Sequence, residues 1–115
     1  LGRLSAGGLL IAPDQVLYGL SEQIAAMAIQ HRVPTSFQYR QGPVAGGLMS
    51  YGANAVDLFR LAGAYTGRIL KGEKPGDLPV VQSTNFEFVI NLKTARALGI
   101  EVPDSMQLLA NEVIE

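Results

Sequence analysis

The nine residues Gly46-Gly47-Leu48-Met49-Ser50-Tyr51-Gly52-Ala53-Asn54 constrain this chain more than any other stretch. Two flexible glycines open it, a short apolar strand candidate (Gly47 to Ser50) follows, and a turn is expected at Tyr51-Gly52. Asn54 then stands at the head of the longest helical pattern, about Asn54 to Lys71. An apolar strand, a glycine turn and a capped helix in this order make the edge of a ligand cleft in an α/β protein. Asn54 suits the N-cap, and Asp57 falls in the first turn, where the helix dipole favours negative charge. Phe59, Ala62, Gly63, Thr66, Ile69 and Leu70 give the helix one apolar face, with Asp57, Arg60, Arg68 and Lys71 mostly off it. Gly72 supplies a left-handed cap and Pro75 prevents the helix from resuming.

Upstream, Leu9-Leu10-Ile11-Ala12 lies between Gly7-Gly8 and Pro13-Asp14 and reads as a strand buried on both faces, the parallel-sheet type. From about Val16 to His31 the apolar step becomes helical, through Leu17, Leu20, Ile24, Met27 and Ala28, with Asp14 placed to cap the start. Gly19 interrupts this pattern, and Ser21-Glu22 offers a second, later start. Val33-Pro34 ends the helix. Thr35 to Tyr39 alternates as a strand, and Arg40-Gln41-Gly42-Pro43 breaks it. Strand, helix, strand is a βαβ unit with a right-handed crossover.

Downstream, Gly72 to Asp77 is an exposed connection to an extended run, Leu78 to Val81. Phe86 to Asn91 is a further strand, Lys93 to Leu98 a short helix stopped by Gly99, and Ser105 to Glu112 a last helix capped by Asp104. That helix would carry Leu108, Leu109 and Val113 on one side. The order β-α-β-β-α-β-α-α argues for α/β architecture.

The chain has 115 residues, enough for one small domain with one core. With 48% apolar and 17% charged residues it is globular rather than disordered. A net charge of −1 gives no electrostatic reason to expect nucleic acid or an anionic membrane as partner. The lack of cysteine excludes disulfides and thiol chemistry, and His31, the one histidine, cannot build a His-rich metal site or a Ser/His/Asp set. His31 ends a helix, where a cation suits the dipole. No apolar run reaches the roughly 18 residues of a membrane span. The opening Leu1-Gly2-Arg3, without an initiator Met or a leader, suggests a piece of a longer protein.

Ligands of open parallel sheets sit beyond the carboxyl ends of the strands. That rule singles out Asp14, Tyr39-Arg40 and Tyr51-Gly52. Asp14 either binds an amine on a ligand or serves only as a helix cap. Arg40 either grips a carboxylate bidentately or stands solvated in its Gly-Pro loop. Tyr51 either stacks on a ligand or packs half-buried at a strand end, with Gly52 beside it letting backbone approach closely. The glycine pairs Gly7-Gly8 and Gly46-Gly47 precede strands, whereas a dinucleotide or phosphate loop follows one, so no cofactor is expected. No catalytic constellation is present.

Four pieces carry a family resemblance: "GLLIAPDQ" (Gly8 to Gln15), Gly46 to Asn54, "RILKGEKPGDLPV" (Arg68 to Val80) and "FEFVINLKTARALGIEVP" (Phe86 to Pro103). In this order they resemble bacterial ABC-transporter substrate-binding proteins, in the family that includes tryptophan/tyrosine-type solute receptors. The resemblance covers essentially the whole chain and implies the C-terminal part of a two-lobe, type I periplasmic-binding fold. That makes it a Rossmann-like three-layer α/β fragment, with mostly parallel strands flanked by helices. It implies a second-lobe βαβ piece over 1–45, a hinge crossing over 46–53, a helix over 54–72 packing on the first lobe, and a return strand with C-terminal helices over 78–115. It further implies a non-catalytic solute receptor, periplasmic or membrane-anchored outside the cytoplasm, that hands a small organic solute to ABC permease subunits. Asp14, Tyr39, Arg40, Tyr51 and Gly52 would be the contacts from this half. The isolated piece, missing the surface its long helix was made for, is expected to pair with a second copy. The alternatives are the effector-binding half of a two-lobe transcriptional repressor and a Rossmann-like enzyme.

Overall fold

The computed structural model describes residues 6–115, so Leu1-Gly2-Arg3 lies outside the described residues. The elements are β1 (Leu9–Leu10), α1 (Gln15–Gly19), α2 (Ser21–Gln30), β2 (Thr35–Phe37), α3 (Gln41–Val44), β3 (Met49–Ala53), α4 (Ala55–Leu70), a 3-10 turn (Pro75–Asp77), β4 (Phe86–Asn91), α5 (Leu92–Leu98), α6 (Asp104–Leu109) and β5 (Glu112–Ile114). The strands form one five-stranded sheet in the order β1-β2-β3-β4-β5. β1 pairs parallel with β2, β2 with β3, and β4 with β5. Between β3 and β4, the Asn91 N–H donates to the Leu48 carbonyl at 2.8 Å while Phe88 lies beside Tyr51. The numbering rises on one strand as it falls on the other, so β4 runs against β3. The protein is α/β, with a mostly parallel sheet flanked by helices.

The chain divides into two compact units: residues up to Gly52 together with Glu87–Glu115, and the segment Ala53–Phe86. In the first unit, Asp14 caps α1, its Oδ1 accepting from the Val16 and Leu17 amides at 2.9 and 3.1 Å. The expected single helix is two, broken at Leu20, as the Gly19 and Ser21-Glu22 signals anticipate. The core-facing side of α2 is not Leu20 and Met27, which are exposed. It is Ser21, Ala25 and Ala28, small residues that let the helix lie close against α3 and α5.

β1 also departs from expectation. It is two residues long at the sheet edge, and Leu10 is 79% exposed, so this strand is not buried on both faces. Only Ile11, just beyond it, enters the core. The break at Arg40 to Pro43 proves to be the helical turn α3. Phe37 explains why that turn is compact. A β-carbon built on Gly42 or Gly47 would fall 2.1 or 2.4 Å from its ring, so the backbone wraps the phenyl at both glycines.

Polar ties then fix the approach to β3. The Leu48 N–H donates to Thr35 Oγ1 at 3.0 Å, and the Gly46 carbonyl accepts from Thr94 Oγ1 at 2.9 Å. Gly46 holds φ +103°, which glycine alone adopts freely. β3 begins at Met49 and runs to Ala53, so Tyr51 and Gly52 lie inside the strand, not in a turn after it.

Asn91 closes β4 and caps α5. Its Oδ1 accepts from the Thr94 amide at 3.0 Å and its Nδ2 donates to the Pro43 carbonyl at 2.9 Å. Gly99, at φ +71°, ends α5 as expected. The last helix stops at Leu109, three residues early, and has no side-chain cap; Glu112–Ile114 is the strand β5 instead. Asn111 makes this exchange: its N–H donates to the Phe88 carbonyl and its Oδ1 accepts from the Phe88 amide, both at 2.8 Å, which draws the following residues onto the sheet edge.

The second unit is α4 and the loop that follows it. Asn54 Oδ1 caps α4 through the Asp57 amide at 3.1 Å, and Gly72, at φ +105°, ends it. Asp57 also accepts from Arg60, at 2.5 Å, and from the Asn85 amide group. At the other end Arg68 pairs with Glu73 at 2.6 Å, and the Tyr65 hydroxyl donates to the Pro79 carbonyl at 2.7 Å. The expected run Leu78 to Val81 forms no strand. No residue of α4 is buried, and Phe59 and Leu70 are 78% and 82% exposed.

Candidate functional site

β1 and β2 are parallel, so their carboxyl ends open on the same side of the sheet. Asp14 follows β1, and Tyr39-Arg40 follow β2. The Asp14 carboxylate is engaged with its own helix, through the Oδ1 described above. Tyr39 lies against Tyr18 of α1, ring centroids 5.2 Å apart and tilted by 42°. Burial holds the Tyr18 phenol above its ordinary pKa, with the Tyr39 and Gln38 backbone amides pulling it the other way.

Arg40 is half exposed and paired. Its Nε and Nη2 donate to the two carboxylate oxygens of Glu112 at 2.5 and 2.7 Å, a bidentate fork. The hydrogen bonds from Arg40 hold the Glu112 carboxyl below the usual carboxylate range, against the small opposing effect of burial. The guanidinium is raised in turn, by the hydrogen bonds and charge of Glu112 and more weakly by Glu87.

Tyr51 is 58% exposed on β3 and meets Phe88 of β4 edge-on, centroids 6.1 Å apart. Gly52 is buried. A β-carbon there would lie 2.3 Å from the Gln38 carbonyl oxygen, so its smallness serves the packing of β3 on the end of β2.

A cavity of about 410 Å³ opens beside these ends, lined by Tyr18, Ser21, Glu22, Arg40, Gln41 and Val44 among others. Arg40 alone of the five expected site residues lines it. Tyr18, Glu22, Gln41 and Glu112 escaped the sequence reading. Tyr18 and Glu22 stood in one continuous helical pattern, Gln41 in a presumed loop, and Glu112 in a presumed helix. The one available signal was the Gly19 interruption, which places Tyr18 and Glu22 on either side of a helix break.

Among the described residues no group of three or more His, Asp or Glu side chains is placed to hold a metal ion. No helix among them is long and apolar enough to cross a membrane.

Comparison with known proteins places this geometry in a family. The profile described as "ABC transporter substrate binding protein" matches residues 6–114, and the chain belongs to that family. A search of curated proteins finds no match. Among solved structures, a conserved domain protein from Vibrio cholerae superposes with a TM-score of 0.87 at 23% identity, over 94% of this chain and 36% of its own. The ABC domain in complex with L-Trp from Streptococcus pneumonia gives 0.85 at 27% identity, over 96% of this chain and 38% of its own. An open, ligand-free substrate binding protein with adhesive properties from Clostridium difficile gives 0.62 at 22% identity, over 92% and 36%. The chain thus spans a little over a third of the length of the structures it matches.

Proposed function

We propose that this chain is the C-terminal part of an extracytoplasmic solute-binding component of an ABC importer. The receptor would trap a small organic solute, such as an amino acid, between two lobes and release it to permease subunits without chemical change. Asp14, Tyr39, Arg40, Tyr51 and Gly52 belong to this half of the cleft, Gly52 through the strand packing that positions Tyr51. Residues 1–45 contribute a second-lobe βαβ piece, 46–53 cross the hinge, 54–72 carry the helix that packs on the first lobe, and 78–115 return.

The observation that carries this reading is the path of the chain. It leaves the larger unit after Gly52, on β3, and re-enters at Glu87, on the neighbouring strand β4. Paired adjacent crossings are what a hinge between two lobes requires. The family match and the L-Trp complex of the streptococcal neighbour support solute binding, with an amino acid as the class of solute to test first.

The test is a thermal-shift screen of the full-length receptor against the common amino acids and small organic acids. Binding raises the unfolding midpoint, by the equivalent of about 2.7 kcal/mol when ligand stands at a hundred times its Kd. If no solute stabilises the receptor while a chromogenic substrate is turned over, the receptor reading is wrong.

A further inference from the structure

Arg40 and Glu112 lie 72 residues apart in sequence and on non-adjacent parts of the sheet. Arg40 follows β2 and Glu112 opens β5, with β3 and β4 between them. Three strand spacings make about 14 Å, so both side chains extend toward one another across the two intervening strands. Those strands bear Tyr51 and Phe88, and Glu87 lies near enough to act on the guanidinium. The pair therefore ties the carboxyl end of β2, where the candidate site is, to β5, while Arg40 also forms a wall of the adjoining cavity.

We propose that Glu112 is a built-in occupant of the Arg40 guanidinium, which a solute must displace with a carboxylate of its own. This inference rests on the solute-binding reading above and names the chemical class that the site selects.

The fork geometry supplies the selectivity. Arg40 presents two parallel N–H donors and Glu112 meets both with two coplanar oxygens. A replacement that keeps both bonds is another planar two-oxygen anion, which among small organic solutes means a carboxylate. A carboxamide offers one oxygen and an N–H₂ group that clashes with the donors.

The exposure supplies the exchangeability. The two side chains are 49% and 35% exposed, so water and salt screen the pair and it is held loosely. A deeply buried pair would be costly to separate. Here one carboxylate replaces another on the same fork, and the freed Glu112 is left half in solvent.

The experiment uses the full-length receptor and its Glu112→Gln and Arg40→Gln variants. The common L-amino acids are screened by calorimetry, and the carboxamide of each hit is measured beside it. Removing the competitor in Glu112→Gln should tighten binding of the acid two- to fivefold, which is about 0.4–1 kcal/mol at 1.4 kcal/mol per tenfold, and leave the carboxamide unchanged. Arg40→Gln should abolish the preference for acid over carboxamide. A wild-type receptor that binds an amino acid, with affinities for acid and amide that Glu112→Gln leaves alone or shifts equally, overturns this inference and leaves the receptor reading standing. A wild-type receptor that binds nothing in the panel overturns both.

Discussion

Gly52 and the carbonyl of Gln38 stand so close that a single methyl group on Gly52 would come within 2.3 Å of the oxygen. Gly52→Ala must therefore push β3 away from the end of β2, at a cost of about 1–3 kcal/mol. Gly63 and Gly67, inside α4, have nothing near a built β-carbon, and alanine at either should stabilise by about 0.5–1 kcal/mol. Thermal unfolding of the three variants separates the cases, because the shifts have opposite sign. Equal shifts would mean that the close approach at Gly52 is not tight.

Asn91 is buried with both ends of its amide engaged, the NH₂ group on the Pro43 carbonyl and the oxygen on the Thr94 amide. Asn91→Asp keeps the cap on α5 but replaces a donor with an acceptor facing a carbonyl. Loss of about 1–3 kcal/mol is expected by urea unfolding at neutral pH. The loss should be smaller in acid, where a protonated carboxyl again offers an O–H. A variant as stable as the parent at neutral pH would show that the Pro43 contact contributes nothing.

The Arg40–Glu112 pair sets a direction for pH dependence. Its hydrogen bonds lower the folded pKa of Glu112, so the folded form binds a proton less readily than the unfolded form. The stabilisation is fully present above the unfolded glutamate value of about 4.3 and fades as pH falls through the lower folded value. Glu112→Gln should flatten that acid limb and leave stability near pH 7 little changed, since the pair is screened. An unaltered acid limb would mean that the pair does not persist in solution.

Val56, Phe59, Gly63 and Leu70 share one stripe of α4, and the three large ones are all well exposed. By itself the chain is expected to associate through this stripe, and sedimentation at micromolar concentration should show a dimer. Phe59→Lys should return it to monomer. A parent chain that sediments as a folded monomer removes the expectation.

Local signals were legible wherever one residue decides an outcome. Asp14, Asn54, Gly72 and Gly99 each cap a helix end as the sequence indicates, because caps depend on a side chain and its nearest backbone. The α/β class and the family were legible from the order of elements and from four short stretches. Leu10 was misjudged because a short apolar run does not reveal whether its strand is central or at the edge. β5 was misjudged because Asn111 turns the chain onto the sheet by bonding Phe88, a residue 23 positions away. The same long-range gap hid Glu112 as the partner of Arg40. Tyr51-Gly52 looked like a turn on composition, yet the glycine answers to the neighbouring strand.

Phe37 governs more positions than its own. Its ring occupies the space where side chains at Gly42 and Gly47 would begin, so three sites share one volume. Substitutions at Phe37 and Gly47 should be strongly non-additive: alanine at Gly47 is barred by the ring and eased once Phe37 is itself made small, whereas a β-carbon on Gly42 would still meet the Phe37 β-carbon at 2.5 Å. The order in which such changes arise then matters, and a lineage that shrinks Phe37 first opens position 47 to side chains that remain barred in a lineage that keeps the ring, while position 42 stays glycine in both.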